Sequence, residues 1–370
     1  MTILTNHHSW QVNETAMPDN LPSTTNFYSK GRPMKNLKLF LGAAAVLMVA
    51  LSNQPVNAQK NLKFNFFPPG KDPAFPKVFK PYMDQVSKAS AGTIKIDSFP
   101  GGSLGRNPRQ QLKMVADGVF DITMAIPAYT PGRFADRGMF ELPGLFKDAV
   151  EASTTIWRMY ARGKLKGYEK MQPLMFGGVS QYLIHTVKPI KSLADIKGLK
   201  IRAGGPVHSA TIKALGAVPI GMPAPAAAEN LSRGVLNGAS FEWFATKAFR
   251  LFDVTHYHYE AVLGANYLVL VMDKKKFDGL PGAAKQAFMK YGQESLARKF
   301  GGLHLKINTM IRKSAEKDPK HTVIDPSGAD VAKLAAIRKS VRDGWVKQTP
   351  NGAKMLADAQ AILAEIRAGK

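Results

Sequence analysis

The chain has 370 residues, 45% hydrophobic and 21% charged, which is enough apolar material for about two domains of ~100–200 residues each. It contains no cysteine, which excludes disulfides, thiolate metal sites, thiol nucleophiles and lipid attachment through a thiol. Lys and Arg number 51 against 27 Asp and Glu, a net charge of +24 that favours anionic partners such as nucleic acid, a membrane surface or acidic small molecules.

From Met34 the chain reads MKNLKLFLGAAAVLMVALSNQPVNAQ. Lys35 and Lys38 form a positive n-region, Leu39 to Leu51 a thirteen-residue apolar core, and Val56-Asn57-Ala58 a small-residue cleavage site. A membrane anchor is the competing reading, but that core is short of the ~20 residues a spanning helix needs. Residues 1–33 are polar and aperiodic, so Met34 is read as the initiator and 1–33 as a gene-model extension. Residues 34–58 are then a signal peptide, and the mature protein is expected to start at Gln59 in the periplasm of a Gram-negative bacterium. Removing 1–58 takes four basic and two acidic residues and leaves a charge of +22. The basic residues are dispersed, with no arginine-rich run and no aromatic–basic interleaving, so no nucleic-acid partner is expected. Small anions or an anionic envelope surface remain.

Along the mature chain strand and helix alternate. Leu62–Phe67 reads as a strand, closed by Pro68-Pro69-Gly70. Pro73–Ser90 reads as a helix with Phe75, Phe79, Tyr82, Met83 and Val86 on one face. Thr93–Phe99 is a second strand, Pro108–Asp117 a second helix and Phe120–Ala125 a third strand. This βαβαβ order implies a parallel sheet flanked by helices. A second set begins near Leu174, with a strand around Ile201, a helix at 206–215, a strand at 218–220, a helix at 224–233 and a strand at 235–241. The apolar run 266–272 is expected to cross back to the first sheet, and 281–370 to be mostly helical, broken at Pro319 and Pro326. The expected fold is therefore α/β with two lobes, a ligand cleft between them and a helical C-terminal region. One lobe takes 59–178 plus about 268–305, and the other 179–267 plus about 306–370.

Several motifs follow in a fixed order: Gly101-Gly102-Ser103-Leu104-Gly105, Gly118-Val119-Phe120-Asp121, Gly198-Leu199-Lys200-Ile201-Arg202 and Met222-Pro223. Leu231 and Gly234-Val235-Leu236-Asn237-Gly238 complete the series. Together they resemble the solute receptors of TRAP (tripartite ATP-independent periplasmic) transporters, the DctP-like extracytoplasmic binding proteins, over roughly 60–350. The resemblance implies a two-lobed periplasmic binding protein that closes over an organic acid and delivers it to membrane permease subunits, with no catalysis and no cofactor. It also makes Arg202, at the end of Lys-Ile-Arg, the arginine that grips the ligand carboxylate through a planar fork. That guanidinium is expected to face solvent when the cleft is open.

Other positions bear on the ligand. Asn237-Gly238-Ala239-Ser240 stands where the family commonly reads Asp-Gly-x-Glu, so contacts made by those two acids are in doubt. Phe241 falls beside the ligand position, and Trp243 and Phe244 extend an aromatic patch that walls an apolar ligand body or packs the hinge. Ala224 and Ala226 replace larger residues of relatives and leave room. Tyr182 stands where some relatives carry a second arginine, and a neutral hydroxyl there suits one carboxylate better than two. Gln181, Phe67 and Tyr129 are further ligand-site candidates. The ligand is thus expected to be a monocarboxylate with an apolar or aromatic body, the alternative being a C4-dicarboxylate. His256 and His258, two apart on a strand, face one side as metal ligands can, with Glu260 near. A periplasmic metal-dependent enzyme is the competing class, and a sensory receptor on the same scaffold a third. No Ser-His-Asp order, paired catalytic carboxylates or phosphate loop stands out, and no metal is expected.

Overall fold

The computed structural model describes residues 59–370 apart from 131, 135 and 136, so the expected extension 1–33 and signal peptide 34–58 lie outside the described residues. The strands in chain order are β1 (Lys60–Phe66), β2 (Ile94–Pro100), β3 (Ile122–Ala125), β4 (Met171–Gly178), β5 (Leu183–Thr186), β6 (Lys200–Ala203), β7 (Val218–Gly221), β8 (Gly238–Phe241), β9 (Tyr257–Tyr259), β10 (Tyr267–Asp273) and β11 (Thr322–Ile324). They form a five-stranded sheet of order β2-β1-β3-β10-β4 and a six-stranded sheet of order β11-β9-β5-β8-β6-β7.

In the first sheet β1 pairs in parallel with β2 and β3, as the βαβαβ reading requires. Its phenylalanines build the core: Phe64 and Phe66 are fully buried, and the Phe66 ring lies 5.4 Å from that of Phe79 on the following helix. That helix opens with a wide π-helical turn at Phe75–Phe79 before the regular part Lys80–Ala89. Strand β10 inserts antiparallel between β3 and β4, and its first six residues are all buried, so the apolar run does cross back. Strand β4, read from sequence as the start of the second set, belongs to the first sheet, and the second sheet begins with β5.

Three connections therefore run between the sheets, β4 to β5, β9 to β10 and, through the helices between them, β10 to β11; the first two lie side by side. Val179 donates its backbone N–H to Asn266 (3.0 Å), Tyr182 to Gly264 (2.6 Å) and Leu263 to Tyr182 (2.7 Å). Gly264 holds φ at +105°, and a Cβ there would sit 2.0 Å from the Glu141 carbonyl oxygen, so only glycine fits.

The C-terminal region is helical, with Gly282–Tyr291, Gln293–Lys317, Gly328–Gln348 and Gly352–Arg367. The long helix Gln293–Lys317 packs on the helix Ala149–Ala161 and β4 of the first sheet and also on the helix Trp243–Ala248 and β11 of the second. The last helix departs from the boundaries read from sequence. Leu356, Ala359, Ile362 and Leu363 bury against Trp157, Phe176 and Tyr267, on the first sheet's side. No described helix is long and apolar enough to cross a membrane.

Candidate functional site

A narrow cleft lies between the strand ends of the two sheets. Phe66, Phe67, Asp72, Met124 and Tyr129 come from the first-sheet side, and Tyr182, Ala224, Phe241, Glu242 and Phe244 from the second. Tyr267 and Phe300 close the back, and His304 reaches in from the long helix. The wall is mainly aromatic, a surface for a flat apolar body.

Arg202 sits on β6, an interior strand between β8 and β7, and is completely buried. The neighbouring strands supply its acceptors. Nε donates to the Met222 carbonyl just past β7 (3.0 Å), and Nη1 to the Ser240 carbonyl of β8 (2.9 Å). Nη2 donates to the Tyr129 hydroxyl (3.0 Å), which also accepts from the Ala224 backbone N–H (3.0 Å). The guanidinium carbon lies 4.0 Å from the Phe241 ring centroid, a desolvated cation–π contact. A buried cation with neutral partners keeps a strong demand for an anion. In this arrangement Arg202 is not turned to solvent: it is clamped by three protein acceptors, because strand pairing brings two carbonyls to the guanidinium and the turn Pro127–Tyr129 brings a hydroxyl from the other sheet.

Of the residues singled out from sequence, Phe67, Tyr129, Tyr182 and Phe241 line the cleft, and Arg202 lies directly against Phe241. Tyr182 stacks on His208 (4.5 Å) and its ring is 6.0 Å from that of Phe241. Burial first, then the Glu242 charge, pushes its phenol well above the ordinary value, with Arg202 opposing, so it stays a neutral donor. Gln181 and Trp243 do not reach the wall. Gln181 donates to the Phe146 carbonyl (2.8 Å), and Trp243 is buried against His185 and His258 with its indole N–H on Glu260 (3.1 Å). Trp243 and Phe244 are adjacent at a helix start and point to different sides, so only Phe244 faces the cleft. Ala224 is on the wall.

His185, His208, His258 and His321 serve packing. His258 bridges His185 (2.8 Å) and His321 (2.9 Å), and His185 contacts the Phe241 carbonyl (3.0 Å). Burial pushes His185 down to about 4, and burial with its histidine neighbours pushes His258 down to about 2. His208 falls to about 3 through burial and the Arg202 charge. Among the described residues no group of three or more His, Asp or Glu is arranged to hold a metal ion.

Sequence reasoning missed three titratable groups on the wall, Asp72, Glu242 and His304, and the amide of Asn266 beside them. Asp72, in the loop after β1, accepts from the Ala74 N–H (2.8 Å), and burial with the Glu242 charge pushes it up to about 7. His304 Nε2 lies 3.4 Å from Glu242 Oε1, and its Nδ1 is 3.3 Å from the Ser180 hydroxyl. No motif marks these positions. A signal was available only at Glu242, a charged residue in the apolar stretch Ala239–Ala245.

A cleft between two α/β lobes, lined with aromatic rings and backed by one buried guanidinium, defines a two-lobed receptor for a small solute. Residues 64–349 match the family described as "Bacterial extracellular solute-binding protein, family 7" (DctP). The chain belongs to this family, that of the TRAP solute receptors; it is a ligand-binding receptor and not an enzyme. It is similar to the 2,3-diketo-L-gulonate-binding periplasmic protein YiaO of Escherichia coli K12, at 26% identity over 75% of this chain and 84% of that protein. Among solved structures it resembles a marine metagenome TRAP solute-binding protein specific for aromatic acid ligands, in complex with 3-hydroxybenzoate. The TM-score is 0.76 and the identity 30%, over 83% of this chain and 98% of that one. A second is the TRAP solute-binding protein from Rhodoferax ferrireducens T118, in complex with copurified benzoate. There the TM-score is 0.77 and the identity 28%, over 82% of this chain and 98% of that one.

Proposed function

We propose that this receptor binds one aromatic monocarboxylate in the periplasm and hands it, unchanged, to the membrane permease of a TRAP transporter. The observation that carries this reading is the fully buried Arg202 guanidinium, stacked on Phe241 behind an otherwise aromatic cleft. Three of its N–H groups hold protein acceptors, and its remaining donors, with the Tyr129 and Tyr182 hydroxyls, grip the carboxylate. Phe67, Phe241 and Phe244 sandwich the ring. The two neighbours that carry benzoate and 3-hydroxybenzoate support the ligand class. A C4-dicarboxylate fits less well, because its second carboxylate would enter a cleft that already holds Asp72 and Glu242 and has no arginine among its described lining residues, Arg202 lying behind Phe241. The lobes are 59–178 with about 268–305, and 179–267 with about 306–351. The last helix joins the first lobe, as its packing on Trp157 and Phe176 supports. The mature chain starts at Gln59 after signal-peptide cleavage.

Calorimetric titration of the mature protein with benzoate, phenylacetate, succinate and malate tests the reading. Tight one-to-one binding of an aromatic acid that is recovered intact supports it; preference for the dicarboxylates overturns it.

A further inference from the structure

The cleft that takes an anion also holds acids. Glu242 is 4% exposed, Asp72 7% and His304 2%, and all three line the cavity. Among the described residues no ion pair or hydrogen bond joins Arg202 to either acid, so the cation does not neutralise them. Glu242 Oε1 lies 3.4 Å from His304 Nε2, a nitrogen that completes no hydrogen bond with any described residue, and His304 Nδ1 lies 3.3 Å from the Ser180 hydroxyl. The other Glu242 oxygen, Oε2, is buried and accepts from no described residue. A buried carboxylate oxygen without a donor is costly, and a ligand that supplies one is favoured over a ligand that does not. A plain apolar acid would leave Oε2 unpaired and add a second negative charge to the cavity. A second carboxylate on the ligand would be worse.

We propose that Glu242, with its buried and unpaired Oε2 beside His304 in the cleft wall, is a specificity-determining residue that accepts a hydrogen bond from a hydroxyl on the ligand's aromatic body. The receptor therefore selects hydroxylated aromatic monocarboxylates over their unsubstituted counterparts. The inference rests on the proposed function: Arg202 recognises the carboxylate, and Glu242 reads the substituent. A hydroxyl fits this pair because it is neutral and donates once. A methoxy group has no proton and fails for the same reason as hydrogen.

The test is calorimetric titration of wild type, Glu242→Gln and Glu242→Met with benzoate, the three ring isomers of hydroxybenzoate and the matching methoxybenzoates. For wild type, at least one hydroxybenzoate is expected to bind about 10- to 100-fold more tightly than benzoate or its methoxy analogue. In Glu242→Met, which keeps length but offers no oxygen, that ratio falls toward one; in Glu242→Gln, which keeps an uncharged acceptor, it is intermediate. Wild-type protein that binds benzoate as tightly as its best hydroxybenzoate overturns the inference and leaves the receptor reading intact. The same holds if Glu242→Met keeps the hydroxyl preference in full. Failure of every aromatic acid to bind wild type overturns the receptor reading, and this inference with it.

Discussion

Replacing Arg202 separates what the guanidinium does for the ligand from what it does for the fold. In the ligand-free protein it holds the Met222 and Ser240 carbonyls and the Tyr129 hydroxyl, and lies on Phe241. Truncation to alanine strands those acceptors and removes a desolvated cation–π contact, against which stands relief from burying a cation. Unmade buried hydrogen bonds cost about 1–3 kcal/mol each, and carbonyls with other partners lie at the low end. We expect a net loss of about 2–4 kcal/mol, or roughly 3–6 °C in melting temperature for a chain of this length. Loss of the carboxylate contact costs a further 2–5 kcal/mol in binding, about 30-fold to several thousand-fold in Kd. Arg202→Lys keeps the charge but cannot reach three acceptors in one plane, so it should recover little of either. Denaturant unfolding of the empty proteins gives the first quantity and calorimetry with the best aromatic acid the second. An Arg202→Ala protein that folds and binds within about threefold of wild type would refute the assignment.

Three further outcomes follow from the same geometry. Asp72 is pushed up to about 7, so between its unfolded value near 4 and 7 the folded protein holds a proton the unfolded chain releases, and stability falls as pH rises through that window. Asp72→Asn should remove this slope and be more stable than wild type at pH 8 by up to about 4 kcal/mol; a pH-independent difference sinks the assignment. His185 is pushed down to about 4 by burial, so its contribution is complete above about 6.5 and is lost as pH falls toward 4. On the Asp72→Asn background, where the opposing slope is gone, unfolding free energy should drop by at least about 3 kcal/mol over that range, since the depressed His208 and His258 act in the same direction, and a flat profile would contradict it. Ala224→Phe should push a ring into the cleft and weaken aromatic-acid binding by at least about 100-fold while costing the fold only about 1–3 kcal/mol; unchanged affinity would show that Ala224 borders no ligand.

The parts of the fold legible in the sequence are those with long apolar patterns. The crossing strand Tyr267–Asp273 announces itself because both its faces are buried, Lys60–Phe66 because Leu62, Phe64 and Phe66 alternate onto one buried face, and helices ended by glycine or proline are bounded locally. Strands β5 and β11 were not legible. They span four and three residues, and each exists only because a distant partner pairs with it, as Thr322 does with Tyr257. Strand β4 reads the same whichever sheet it joins, so its placement awaited the crossing of β10 beside it. In the site, Arg202 was marked by its motif, but its burial was not, since Met222 and Ser240 reach it through pairing of three strands. Asp72, Glu242 and His304 converge from positions far apart in the chain, and convergence leaves no local trace. Trp243 and Phe244 show the limit most plainly, as two aromatic neighbours of which one packs a histidine cluster and the other walls the cleft.

The central claim is that an aromatic carboxylate sits in the cleft on Arg202. It is tested most directly by a crystal structure of the mature protein grown with the tightest-binding aromatic acid. The account predicts the carboxylate within hydrogen-bond reach of the Arg202 guanidinium, at about 2.7–2.9 Å, with the ring between Phe67, Phe241 and Phe244. A ligand bound elsewhere, or seated in the cleft with its carboxylate turned away from Arg202, would contradict it.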